Sequence, residues 1–260
     1  MLVEYVLGIT RATVIAHPER ELNAAHEQQA LHLIERRAGG EPIAYILGIR
    51  EFYGLDFKVT PDVLIPRPDT EVLVEQALAR LSSLPAQKSA RMLDLGTGSG
   101  AISISVARHA PGVAVTASDI SRRALAIAQL NASMLGVKIR FIESDWFSHL
   151  HGEVFDLIVS NPPYVAAGDE HLAKGDLRFE PIIALTDGAA GENGFACIRR
   201  IIAGAPLHLN NGGWLLFEHG YDQVAACVAL LAAQGFTELC SFNDLAGIAR
   251  VAGGRWNVRP

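Results

Sequence analysis

The sequence predicts an α/β fold: a doubly wound, mostly parallel sheet of seven strands, Rossmann-like, preceded by a small helical domain and a β-hairpin. Three observations carry that expectation. Past residue 90, short runs that are apolar on both faces alternate with amphipathic runs of helical length, the pattern of strands covered by helices on each side. The turn after the first of these runs is rich in glycine. Residues 1–48, by contrast, show only helical periodicity.

Residues 1–48 are the expected helical N-terminal domain. Leu22, Ala25, Ala30, Leu33 and Ile34 recur at helical spacing, and Gly39-Gly40 end the run. Residues 49–89 are the expected linker. In it "REFYGLDFKV" (50–59) alternates around Gly54 as a small hairpin does, and "LIPRPDTEVLVEQALARL" gives a proline-rigid turn. A helix is expected to open at Asp69 or Thr70, with Leu73, Ala77 and Leu81 facing inward. The polar stretch "SSLPAQKSA" (82–90) is the expected boundary before the main domain, residues 90–260. Strands are expected there at 91–96, 113–119, 139–145, 155–160 and 212–220. "TELCSF" (237–242) and "GIARVAG" (247–253) are close enough to form an antiparallel pair at one edge.

Half of the 260 residues are apolar and 19% are charged, which supports a sizeable core and excludes wholesale disorder. Cys197, Cys227 and Cys240 are scattered and form no CxxC, so they read as free thiols in a reducing compartment. No signal-peptide pattern opens the chain and no apolar stretch reaches the ~18 residues of a membrane span, so a cytoplasmic protein is expected. The nine histidines form no metal-ligand spacing, and no metal is expected. The net charge of −6 argues against unaided binding of duplex DNA, and residues 1–60 carry 6 basic and 8 acidic side chains.

"DLGTGSGAIS" places Gly96, Gly98 and Gly100 at a strand-to-helix turn, where a ligand can approach the main chain and meet the helix N-terminus. The next strand ends at Asp119, about 20 residues on, where a carboxylate can accept from both hydroxyls of a ribose. It can equally cap the following helix. The third strand ends in "SDWF", and Trp146 offers a flat surface for an adenine ring, or a core side chain. Glycines and acid together favour a nucleoside cofactor, leaving open a nicotinamide dinucleotide or S-adenosylmethionine.

The fourth strand ends in "NPPY" (161–164), on the same sheet edge. A planar nitrogen is a poor nucleophile because its lone pair is delocalised. Acceptors aimed at its hydrogens draw them out of plane and stabilise the developing positive charge. Asn161 can supply a side-chain carbonyl, Pro162 a backbone carbonyl held by two ring-locked residues, and Tyr164 a flat face. Nitrogen attacks first and loses its proton afterwards, so no general base has to create the nucleophile.

"DLGTGSG", "ASD", "SDWF" and "NPPY" together resemble the class I S-adenosylmethionine-dependent methyltransferases that modify planar nitrogens. "GEPIAYILGIREFYGLDFKV", "LIPRPDTEVLVEQAL" and "FEPIIALTDGAAGENGF" resemble the HemK/PrmC family within that class, the peptide chain release factor glutamine methyltransferases, over nearly the whole chain. The resemblance implies methylation of the glutamine side-chain amide (N5) in the GGQ motif of class I release factors, with S-adenosylmethionine leaving as S-adenosyl-L-homocysteine. It also implies an N-terminal domain that helps to hold the release factor, whose first helices are expected to be shortened here. By motif, Gly96, Thr97, Gly98, Ser99, Gly100, Asp119, Trp146 and Asn161 are cofactor positions. The same resemblance implies that Asn161, Pro162, Pro163 and Tyr164 match the glutamine clamp, with Asn161, Pro162 and Tyr164 carrying the chemistry.

The alternatives are an adenine amino methyltransferase of DNA or RNA, a glutamine methyltransferase of a ribosomal protein, and a non-catalytic binding module. A base-modifying enzyme needs a target-recognition region and a basic groove, and neither is visible. A monomer without stable nucleic-acid binding is expected. Glu218 reads as a satisfied polar strand end, Arg67 as either a rim residue or a cap, and the Arg pairs at 36–37, 122–123 and 199–200 as solvated helix faces.

Overall fold

A strand with no polar face must be covered on both sides, and β6 (Phe155–Ser160) is buried along its whole length. The computed structural model describes residues 1–84, 89–189 and 191–258. Around β6 runs a seven-stranded sheet in the order β5-β4-β3-β6-β7-β9-β8. Its members are β3 (Arg91–Leu95), β4 (Ala114–Asp119), β5 (Arg140–Glu143), β7 (Leu209–Glu218), β8 (Thr237–Asn243) and β9 (Ala249–Arg255). The first five strands in this order pair in parallel, whereas β9 is antiparallel to both β7 and β8. The predicted C-terminal pair therefore forms, but β9 is inserted beside β7, and of the two only β8 lies at an edge. β7 begins earlier than the glycines at 212–213 suggest. Gly212 N–H reaches Trp256 O at 2.7 Å, and the register with β6 shifts between Phe155 and Leu157, so the glycines sit within an irregular strand.

Helices α6 (Ala101–His109), α7 (Arg122–Met134), α8 (Ala196–Gly204) and α9 (Val224–Gln234) come after β3, β4, a series of 3-10 turns between Glu170 and Ala184, and β7. Ser121 caps α7 by accepting the Ala124 N–H at 3.2 Å, so Asp119 is not the cap of this helix. The chain passes from β3 to β4 and β5 on one side, then to β6 on the other. This makes β3 and β6 the switch point, whose carboxyl ends form a crevice.

The N-terminal part holds α1 (Leu2–Leu7), α2 (Arg11–Ala16), α3 (Ala24–Ala38) and α4 (Ile43–Leu47). On α3 only Ala30 and Leu33 are buried; Ala25 and Ile34, also on the apolar period, lie exposed. This region is tied to the main domain by polar contacts: Arg178 donates to Gly39 O at 2.7 Å, and Arg37 pairs with Asp176 at 3.0 Å. The hairpin is β1 (Ile49–Phe52) with β2 (Leu55–Lys58). A 3-10 turn at Pro68–Thr70 leads into α5 (Glu71–Ser82), whose Leu73, Ala77 and Leu81 are buried as the spacing predicts. Phe52, Phe57, Leu73 and Ala77 pack in one cluster with Met92, Ile104 and Val159, so residues expected as a linker share the core of the sheet. Residues 85–88, within the expected boundary, lie outside the described residues. Among the described residues no helix is long and apolar enough to cross a membrane.

Candidate functional site

A glycine-rich turn follows β3 at the crevice. Gly96, Gly98 and Gly100 adopt φ of 71°, 57° and 84°, a region closed to most side chains. The Gly96 and Thr97 N–H groups donate to Ser118 O at 2.8 and 2.9 Å, pinning the loop to β4. Asn131, buried on α7, donates to Ser99 O at 2.9 Å and exchanges hydrogen bonds with the Lys58 backbone, so the loop is also tied to the hairpin. The three glycines divide by role. Gly96 and Gly98 line the cleft, while Gly100 does not. A Cβ on Gly100 would stand 2.7 Å from Ile104 Cδ1, so this glycine serves close packing of α6.

Asp119 ends β4 at the cleft. Its carboxylate accepts the Gly98 N–H at 2.9 Å and the Ser121 N–H at 2.8 Å. Burial raises its pKa, and these backbone donors oppose the rise. Trp146, in the left-handed region at φ 51°, lies across the loop; a Cβ on Gly96 would stand 3.6 Å from its ring. Asp94 is buried under the loop, accepting from the Thr97 hydroxyl at 2.6 Å and the Ser103 N–H at 3.2 Å. Burial pushes it up to about 6.

Opposite the loop, the turn after β6 is held on its outer side. Val165 bridges Thr186, and Gln223 donates to Tyr164 O at 3.2 Å. Gly194 packs so closely that a Cβ there would overlap Tyr164 O. Asn161 and Pro163 line the cleft, Pro162 is buried in the turn, and Tyr164 turns its hydroxyl inward to Glu218 Oε1 at 2.9 Å. Burial and the Glu218 charge raise the Tyr164 pKa, which keeps the phenol protonated and a donor. Asn161 Nδ2 donates to Thr70 Oγ1 at 3.1 Å, and its Oδ1 makes no hydrogen bond to another described residue.

The cleft measures about 280 Å³. It brings together Gly96, Thr97, Gly98, Ser99, Asp119, Trp146, Asn161 and Pro163; of the expected set, Gly100, Pro162 and Tyr164 stand behind its wall. Thr70, Asp145, Ile183, Cys197 and Arg200 also line it. Sequence reasoning missed these as site residues, although Thr70 and Asp145 lie inside the "RPDTE" and "SDWF" stretches. Arg67 lines the wall and pairs with the buried Glu180, making no side-chain cap to the turn it precedes. Glu218 is fully buried and accepts hydrogen bonds from two hydroxyls. The Arg pairs are surface groups, but each Arg is ion-paired, Arg200 with Asp145 at 2.8 Å. Among the described residues of the lining, Asp62, Asp119, Asp145 and Asp187 stand against only Arg67 and Arg200, so the cleft is acidic and suits a cationic ligand. The Gly98 N–H, already donated to Asp119, is not free for a phosphate. Among the described residues no His, Cys, Asp or Glu cluster could hold a metal ion.

Residues 1–48 match the PrmC N-terminal domain family and residues 75–177 the Methyltransferase small domain family. The chain is 52% identical to the release factor glutamine methyltransferase of Bordetella pertussis, over 98% of this chain and 92% of that protein. It is 49% identical to the one of Neisseria gonorrhoeae, again over 98% and 92%. The fold matches the 16S rRNA N2 G1207 methyltransferase of Thermus thermophilus, solved with AdoMet and guanosine, at a TM-score of 0.57 and 20% identity over 80% of this chain and 49% of that one. With a sheet of class I methyltransferase topology and relatives this similar over nearly its whole length, the chain belongs to the release factor glutamine methyltransferase family.

Proposed function

We propose that this protein transfers a methyl group from S-adenosylmethionine to the side-chain amide nitrogen of the glutamine in the GGQ motif of class I release factors. The observation that carries the reading is the setting of Asn161. Its NH2 is engaged by Thr70, which leaves a carbonyl oxygen at the cleft, on the sheet edge that also carries the glycine loop. An acceptor there fits an amide that must present N–H hydrogens and gather positive charge.

S-adenosylmethionine, when bound, supplies the methyl group on a sulfonium and leaves as S-adenosyl-L-homocysteine. The acidic lining suits that cation better than a pyrophosphate-bearing dinucleotide. Asp119 would accept from the ribose and Trp146 would flank the adenine. Asn161 Oδ1 and the Pro162 carbonyl would hold the target amide. Among the described residues no His or Lys lines the cleft, and Tyr164 stays protonated, so rate enhancement would come from orientation and electrostatics rather than from a base. A cytoplasmic location and action as a monomer go with this reading.

The test is incubation with methyl-labelled S-adenosylmethionine and one of three acceptors: a class I release factor, the same factor with the GGQ glutamine replaced by alanine, or DNA. Label on the first alone is expected. Label on DNA and none on the factor overturns the reading.

A further inference from the structure

The NPPY turn is wired to a carboxylate that never reaches the cleft. Glu218, the last residue of β7, is 1% exposed and does not line the site. Its Oε2 accepts the Thr70 hydroxyl at 2.6 Å and its Oε1 accepts the Tyr164 hydroxyl at 2.9 Å. Thr70, 4% exposed, in turn accepts from Asn161 Nδ2 at 3.1 Å. Three segments distant in sequence, the "RPDTE" turn, the "NPPY" turn and the end of β7, thus meet at one buried acid.

Both Glu218 oxygens are placed as acceptors of hydroxyl protons, and a carboxylate held ionised by those donors can only accept hydrogen bonds. Placed at the end of a chain of groups that can each donate or accept, it sets the direction of every link. The Thr70 proton points to Glu218, so the Thr70 lone pair faces Asn161. Asn161 must answer with its NH2, and its carbonyl is turned the other way. Without that anchor the two ends of the Asn161 amide are nearly equal in shape, and either could face the substrate. The wrong end would present N–H donors to the N–H hydrogens of a glutamine amide and would suit a carboxylate instead. Burying an unshared charge is costly, and the two hydroxyl donors offset only part of that cost. Burial raises the Glu218 pKa; the Thr70 and Tyr164 hydroxyls oppose that rise, Asp69 adds to it, and Arg250, paired with Asp69 at 3.1 Å, counters it.

We infer that Glu218, acting through Thr70, is a positioning residue that fixes the amide orientation of Asn161 and thereby makes the clamp select a glutamine amide over a glutamate carboxylate. This rests on the proposed glutamine methylation and adds the source of its selectivity. Glu218 touches neither substrate nor cofactor in this role.

Thr70→Val keeps the shape and removes the relay, Thr70→Ser keeps the hydroxyl, and Glu218→Gln replaces one acceptor by a donor. Single-turnover methyl transfer to a release factor, its KM, and inhibition by the same factor carrying Glu in place of the GGQ glutamine would be measured for each. Thr70→Val and Glu218→Gln should slow transfer roughly 10–100-fold, the scale of a misplaced reacting group, with KM for the factor little changed. Both should be inhibited more strongly by the Glu-bearing factor than the wild type is, while Thr70→Ser should restore both rate and selectivity. Thr70→Val at the wild-type rate, Thr70→Ser as defective as Thr70→Val, or unchanged inhibition by the Glu-bearing factor overturns the inference. Should Glu218→Gln fail to fold, the two Thr70 variants decide alone. A wild-type protein that methylates no release factor would instead overturn the proposed function, so the two failures are distinct.

Discussion

The Gly98 N–H donates to Asp119 Oδ2 at 2.9 Å, which ties the glycine loop to the tip of the neighbouring strand. The same carboxylate holds the Ser121 N–H at the cap of α7. Asp119 therefore shapes the loop, and in the proposed site it would also offer acceptors to the ribose. Asp119→Ala should weaken S-adenosylmethionine binding by roughly 1–3 kcal/mol, because hydroxyls and a loop N–H lose their partner. Calorimetric titration checks this; unchanged affinity would place the ribose elsewhere.

Two glycines in that loop should respond differently to alanine. Gly98, at φ 57°, has open space where a Cβ would go, so Gly98→Ala should cost only the ~1–2 kcal/mol of a left-handed residue. Gly100, at φ 84°, would also press a Cβ to 2.7 Å from Ile104 Cδ1 and 3.2 Å from Ala128 Cβ. Overpacking adds about 1–3 kcal/mol, so Gly100→Ala should be the less stable variant in urea unfolding.

Much of this was legible beforehand because it is local. "RMLDL" and "FDLIVS" carry apolar residues on both faces, which marks them as central strands, and "DLGTGSG" and "NPPY" announce the crevice by backbone chemistry alone. What was not legible is long-range. Thr70 and Glu218 meet across 148 residues, and nothing in either segment names the other. Cys197, Arg200 and Ile183 reach the cleft from irregular segments and α8, whose path no periodicity encodes. The insertion of β9 beside β7 depends on which strand covers an edge, a choice that propensity does not make.

Asp94 should leave a pH signature on stability. Burial raises it from an ordinary 3.8 to about 6, so the folded state holds the proton more tightly than the unfolded chain. The stability this proton contributes is full below the unfolded value and is lost as pH rises through about 6. Asp94→Asn removes the titration. Relative to the wild type, its unfolding free energy should therefore be ~1–2 kcal/mol larger, meaning a more stable variant, at pH 8 than at pH 5. A constant difference between the two proteins would contradict the assignment.

The Arg67–Glu180 pair should behave as a half-buried ion pair on the cleft wall. The Glu180 side chain is fully covered, whereas Arg67 keeps 32% of its surface. Glu180 also accepts the Ile65 N–H at 3.0 Å. Arg67→Met leaves that carboxylate short of a counter-charge and should cost roughly 1–3 kcal/mol, given solvent screening of the Arg side. Adding Glu180→Gln should recover most of the loss. A double-mutant cycle in urea unfolding measures the coupling, and strictly additive effects would contradict it.

The central claim is that the Asn161 carbonyl holds the target amide as charge develops on its nitrogen. Single-turnover methyl transfer from S-adenosylmethionine to a class I release factor, compared between wild type and Asn161→Ala, tests it most directly. Removal of one preorganised polar partner should slow the chemical step by on the order of a hundredfold or more. Release-factor binding, spread over a much larger surface, should change little. Near-normal transfer by Asn161→Ala would contradict the account and leave the NPPY turn a purely structural feature of the sheet edge.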